Sequence, residues 1–112
     1  MKNIREKQAN RAMKKLHLVL KKQWYDMIAS GTKREEYRDI KPYWIRRLVE
    51  NPVDDSDIIV FKKFSNIVFH LGYTLQTMEF EIESISVGMG KPQWGAKENT
   101  RYFIIRLGVK IA

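Results

Sequence analysis

The sequence predicts a small α+β domain, a mixed β-barrel flanked by two or more short helices, and three observations predict it. Apolar residues recur with period two in Leu16–Leu20, Ile67–Tyr73, Met78–Val87 and Phe103–Ile111, the pattern of strands with one buried face. Between the first of these and the rest, the spacing changes to that of two short amphipathic helices with a polar strand between them. The alternation of the third segment slips by one residue at Glu83-Ser84. One inserted residue is how a β-bulge reads in sequence, and a bulge helps a sheet curl towards a barrel.

Taken in order, residues 1–14 are polar and basic, with too few apolar positions for a helix face, and read as a flexible tail ahead of a domain over 15–112. Leu16, Leu18 and Leu20 make the first strand, with His17 on its outer face as an ordinary neutral residue rather than a ligand. Gln23 to Ser30 form a helix with Trp24, Met27 and Ile28 on one side, Trp24 as a core anchor, and Gly31 at the left-handed position past its end. The strand Gly31–Asp39 follows and offers almost nothing apolar except Tyr37. A strand without aliphatic residues is a solvated edge or the lining of a polar pocket.

Pro42 sits at the start of the second helix, where a missing amide proton costs least, and Tyr43, Trp44, Ile45, Leu48 and Val49 give that helix its apolar side until Asn51-Pro52. Asp54, Asp55 and Asp57 form an acidic loop that lacks the glycine and distal glutamate of a calcium site and reads as a solvated turn. Ile58 to Phe61 is a short strand or a cap on the core. The hairpin Ile67–Tyr73 and Met78–Ile82 puts Glu79, Glu81 and Glu83 on the face opposite Met78, Phe80 and Ile82, in water. Gly88 to Lys97 is a glycine-punctuated loop in which Trp94 is a lid over the core or the wall of a binding cleft. The strand from Tyr102 closes the domain.

Composition bounds the chemistry. The 112 residues carry no cysteine, which excludes a disulfide framework and a thiolate metal site and suits a reducing cytosol. No apolar run approaches the ~20 residues that cross a bilayer, so a cytoplasmic protein without membrane association is expected. The net charge is +8, and residues 1–15 hold Lys2, Arg5, Lys7, Arg11, Lys14 and Lys15 against Glu6 alone. Such an arm either strengthens binding to phosphates by counterion release or only solubilises the chain. Two histidines are too few for a metal centre, and no cofactor is implied. No nucleophile triad is visible. A reaction would have to run on Lys33 and Glu36, with Tyr37 or His70 assisting: a desolvated lysine near an arginine acts as base or nucleophile and a glutamate shuttles protons. The alternative is that Lys33 and Arg38 bind an anion and Glu36 orients them.

Gly31-x-Lys33-x-x-Glu36-x-Arg38 resembles the signature of the ASCH (ASC-1 homology) family of the PUA-like superfamily. Trp24 and Tyr25 before it, Phe69-His70-Leu71-Gly72-Tyr73, Gly90-Lys91-Pro92-Gln93-Trp94-Gly95 and the closing strand Tyr102–Leu107 fit the same pattern in order. The resemblance spans about residues 16–111. It implies a PUA-like barrel that binds RNA or a nucleotide-like ligand in a polar cleft, with Glu36 accepting from a base amino group, Lys33 and Arg38 on phosphate or carbonyl, and Tyr73 or Trp94 stacking. It also implies a hydrolytic alternative, since relatives include N4-acetylcytidine amidohydrolases and ribonucleases. In those amidohydrolases a lysine matches Lys33, but a threonine stands where this chain has Glu36. A further alternative is a non-catalytic protein-interaction module. Strict alternation would put Lys33 on the face opposite Glu36 and Arg38, so their convergence requires a distortion of the strand just after Gly31.

Overall fold

The computed structural model describes residues 13–51 and 58–112. The basic residues Lys2, Arg5, Lys7 and Arg11 and the acidic run Asp54, Asp55 and Asp57 lie outside the described residues. The elements are β1 (Lys14–Leu20), α1 (Lys22–Ala29), β2 (Glu35–Asp39), α2 (Pro42–Leu48), β3 (Phe64–Leu71), β4 (Thr77–Met89), a single 3₁₀ turn (Pro92–Trp94) and β5 (Arg101–Lys110). One five-stranded sheet in the order β1-β3-β4-β5-β2 curls into a half-barrel with the two helices against it. None of the described helices is long and apolar enough to cross a membrane.

The period-two segments become strands because each has a complete apolar face to bury. β1 runs parallel to β3, pairing Leu16 with Ile67, Leu18 with Phe69 and Leu20 with Leu71. β3, β4 and β5 form an antiparallel meander in which Ile82 faces Leu107, Ile85 faces Ile105 and Val87 faces Phe103. These side chains fill the concave face with Tyr25 and Ile28 of α1 and Leu48 of α2, and Phe69, Ile67, Ile105 and Leu48 are wholly excluded from water. Burying such a side chain stabilises by about 1.5–3 kcal/mol. The ladder between β4 and β5 shifts register twice. One shift lies between Ile82 and Ser84, where the sequence places its inserted residue, and the other sets an extra residue in β5 between Leu107 and Lys110. Two bulges on one pair of strands bend the sheet and help five strands curl into a half-barrel around the core.

Several elements depart from the sequence reading. Lys14 and Lys15 belong to β1 rather than to a tail, and Lys15 pairs with Glu79 at 3.1 Å. Glu79 is therefore not simply in water: its other oxygen accepts from Asn66 Nδ2 at 2.9 Å, and the Lys15 contact lowers its pKa from the usual glutamate value. α2 stops at Leu48, because Val49 turns extended and forms a lone bridge with Phe61, which packs on the core while Ile58, Ile59 and Val60 stay exposed. In α1 it is Tyr25 and Ile28 that reach the core, and Trp24 is only half-buried. The convex face is covered in one place by a second cluster, Tyr37, Ala96 and Tyr102 with Trp94 and Ile104 against them. On the outer side of β1 and β3, beside Val19 and Val68, the parallel pairing brings His17 Nδ1 to 2.9 Å from His70 Nε2.

Candidate functional site

The polar motif gains its geometry from the end of α1. Gly31 takes φ +83°, a left-handed conformation that costs glycine least, and its N–H bonds to Ile28 O. The Lys33 N–H then bonds back to Met27 O at 3.0 Å, so residues 31–34 form a turn and the strand begins only at Glu35. This is the distortion the sequence requires. It releases Lys33 from the pleat and sends its side chain to the same place as Glu36.

Lys33 is fully buried, 1% exposed. Its Nζ donates to Trp94 O at 2.7 Å, lies 3.4 Å from Glu36 Oε1, and sits over the rings of Tyr37 and Trp24 at 4.9 and 5.3 Å from their centroids. Loss of water lowers the pKa of this ammonium from the ordinary lysine value, against the opposing pull of Glu36. Aromatic faces and a carboxylate together replace part of the hydration it gives up.

Glu36 is 5% exposed. Its Oε1 accepts the Tyr37 N–H at 3.0 Å and lies 3.5 Å from Arg38 Nη1, whereas its Oε2 is buried and has no donor. Arg38 donates Nη1 to Tyr37 O at 2.7 Å and Nη2 to Val19 O at 3.4 Å, and its guanidinium lies 5.2 Å from the Trp44 ring. The Val19 contact has architectural meaning, because β1 and β2 are the two outer strands of the sheet. Arg38 bridges the seam where the curled sheet brings its two edges together.

A cleft of about 480 Å³ opens at this seam, walled by Trp24, Trp44 and Trp94 and lined by Val19, Glu36 and Arg38, with Lys21 and Lys97 adding positive charge. Behind it Tyr37 braces the Trp94 loop: its hydroxyl donates to Glu35 Oε1 at 2.8 Å and accepts the Lys91 N–H at 2.9 Å. Burial, chiefly, raises the Tyr37 phenol to about 12. The loop packs tightly on this brace: an added Cβ at Gly90 would stand 2.8 Å from Tyr37 Cζ.

Glu36, Arg38 and Trp94, three of the residues singled out in the sequence, thus meet in one cleft. Lys33 stands directly behind Glu36 and is not part of the cleft wall. Trp94 serves as both lid and wall, packed on the Tyr37 cluster while lining the cleft. Tyr73 is not brought there. It sits 99% exposed in the β3–β4 turn, next to Gly72, whose N–H bonds to Leu20 O. The cleft-lining aromatics that the sequence reading missed are Trp24 and Trp44, whose place at helical spacing reads equally well as core. Among the described residues no group of three His, Cys, Asp or Glu is placed to hold a metal ion. No family model, curated protein or solved structure matches the chain.

Proposed function

We propose that the cleft binds RNA, or a nucleotide-like ligand, through its base. One observation carries the reading: Glu36 Oε2 is a buried acceptor without a donor, in a cleft whose lining includes three tryptophans. A buried carboxylate oxygen left unpaired costs about 1–3 kcal/mol or more, a debt that a ligand N–H removes on binding. An exocyclic amine or ring N–H of a base supplies that donor at the edge of a flat ring. Indole faces take the ring itself, with base–aromatic stacking worth about 1–3 kcal/mol per base. Lys33 holds the other oxygen, Oε1, so that Oε2 is fixed in place. Arg38, Lys21 and Lys97 outnumber Glu36 and Asp39 in the lining, the balance of charge that a phosphate-bearing ligand requires.

The depressed pKa of Lys33 favours a second reading, hydrolysis of a modified nucleoside such as an N4-acylated cytidine, with Lys33 acting through Glu36 once the Trp94 loop shifts. One experiment addresses both. The chain is titrated with short single-stranded RNA and a panel of plain and N-acylated nucleosides while amide and indole N–H resonances and new product signals are recorded. Shifts confined to 33–39, Trp24, Trp44 and Trp94 without product are expected. In Glu36→Gln the affinity falls about tenfold, as a charge-assisted bond becomes a neutral one. Absence of shifts in the cleft with every ligand overturns the reading, and product formation puts hydrolysis in its place.

A further inference from the structure

The convex face beside the cleft carries a cluster that the base-binding reading does not use. His17 and Val19 alternate with the buried leucines of β1, so both point outward, about 7 Å apart along the strand. Val19 lines the cleft and pairs in register with His70 of β3. His70 in turn meets His17, with Nδ1 to Nε2 at 2.9 Å and ring centroids 5.1 Å apart. From α2, Arg47 donates Nη2 to His17 O at 3.1 Å, and its guanidinium stands 5.8 Å from the ring of Trp44, a wall of the cleft. The Arg47 Nε is buried and has no acceptor, and among the described residues no carboxylate pairs with this arginine.

Charge decides what such a cluster accepts. His17 is faced by His70 from β3, Arg47 from α2 and Lys15 from its own strand, while among the described residues the carboxylate that acts on it, Glu79 of β4, is already bound to Lys15 and Asn66. Two imidazoles at this separation resemble half a metal site, but the surrounding cations oppose a metal ion and favour an anion. We propose that His17, His70 and Arg47 form a subsite for a phosphate group of the ligand held in the cleft. The proposal rests on the reading of the cleft as a base-binding site and extends it: Trp44 and Val19 are the shared border, so a chain leaving the cleft over that border meets this cluster next. Without an anion the two imidazoles share one N–H between two nitrogens, and desolvation, with His70, Arg47 and Lys15 close by, lowers the His17 pKa from the usual histidine value. A bound phosphate reverses that balance, so the pair takes up a proton as phosphate binds. By linkage, phosphate binds more tightly as pH falls.

The test follows the imidazole Cε1–H resonances of His17 and His70 across about pH 5–8, the window in which histidine titrates. Spectra are recorded with inorganic phosphate, with unphosphorylated nucleosides and with a mixed-sequence RNA hexamer. Phosphate and the hexamer are expected to raise the His17 midpoint by about half a unit to one unit, and nucleosides to leave it where it is. His70→Gln, which keeps a hydrogen-bonding partner for His17, should lose most of the phosphate-induced rise at an unchanged thermal midpoint. Midpoints that stay fixed with both phosphate and hexamer, while the cleft resonances move, overturn the subsite and leave the base-binding cleft standing. A phosphate response with no nucleoside or RNA response in the cleft does the reverse. Zn²⁺ shifting both histidines where phosphate shifts neither makes the pair a metal site and likewise overturns the proposal.

Discussion

Replacing Lys33 by methionine separates what the buried ion pair does for the fold from what it does for the cleft. The lysine side chain is wholly inaccessible and that of Glu36 is 7% accessible, so solvent screens the pair little. Methionine restores most of the buried stem, and its sulfur sits comfortably between aromatic rings such as Trp24 and Tyr37. It cannot donate to Trp94 O, and it leaves Glu36 with only the Tyr37 N–H and the more distant Arg38. Removing one partner of a buried pair costs about 3–5 kcal/mol. The Arg38 that remains at 3.5 Å brings the expected loss to the lower end, about 3 kcal/mol, and a domain of this size then melts about 10–20 °C lower. Lys33→Met/Glu36→Met removes both charges and should recover most of that loss, since apolar replacement of a whole buried pair is often neutral or stabilising. Urea denaturation of the single and double variants measures both quantities, with an unchanged slope as the check that only stability has moved. A single variant losing less than about 1 kcal/mol, or a double variant less stable than the single, refutes the assignment of Lys33 as the counter-ion that makes Glu36 tolerable in the interior.

Two further substitutions address the brace behind the cleft. Tyr37→Phe deletes the hydroxyl between Glu35 and the Lys91 N–H and should cost about 1–2 kcal/mol while speeding hydrogen exchange over residues 90–97, with equal exchange in the two proteins as the contrary result. The same residue sets an alkaline limit: folded Tyr37 keeps its proton up to about 12 while the unfolded chain releases it near 10.0, so its contribution is intact below 10.0 and lost as pH climbs through that window. Phenolate absorbance followed against pH should show one late tyrosine that Tyr37→Phe removes. Gly90→Ala places a Cβ 2.6 Å from that of Ala96 and 2.8 Å from the Tyr37 ring, and the shift this forces should cost about 1–3 kcal/mol in urea denaturation, whereas an unchanged midpoint shows the loop free to move.

What the sequence discloses of this molecule is whatever is encoded over short distances. Alternation along Leu16–Leu20 and Phe103–Leu107 marks buried faces, the slip at Glu83-Ser84 marks a bulge, and Gly31 marks a helix end, and the described structure has all of these. The need for Lys33 and Glu36 to converge also forecasts the turn at 31–34. Long-range pairings were less legible. Trp24 and Tyr25 both fall at helical spacing from Ile28, and only the curl of the sheet decides that Tyr25 enters the core and Trp24 the cleft. His17 and His70 are 53 residues apart and meet because β1 lies parallel to β3, a pairing that no local pattern announces. Tyr73 looks like a stacking residue in the sequence, but the hairpin ends before it at Leu71 and carries it out into water. Glu79 reads as one of three like charges on a solvated face until Lys15 and Asn66 arrive from two other strands.

The order of strands in the sheet has a consequence for how the chain assembles. β3, β4 and β5 are consecutive in sequence and joined by short connections, so their meander closes without long loops. β1 and β2 precede the meander in sequence and attach to its opposite edges, β1 against β3 across more than forty intervening residues. Closing so long a loop before its contacts repay it is slow, and strands added at edges are the first to open again. The cleft lies between these two late arrivals. Hydrogen exchange is expected to be faster here than in the meander, and an occupant that gripped both β1 and β2 would slow it.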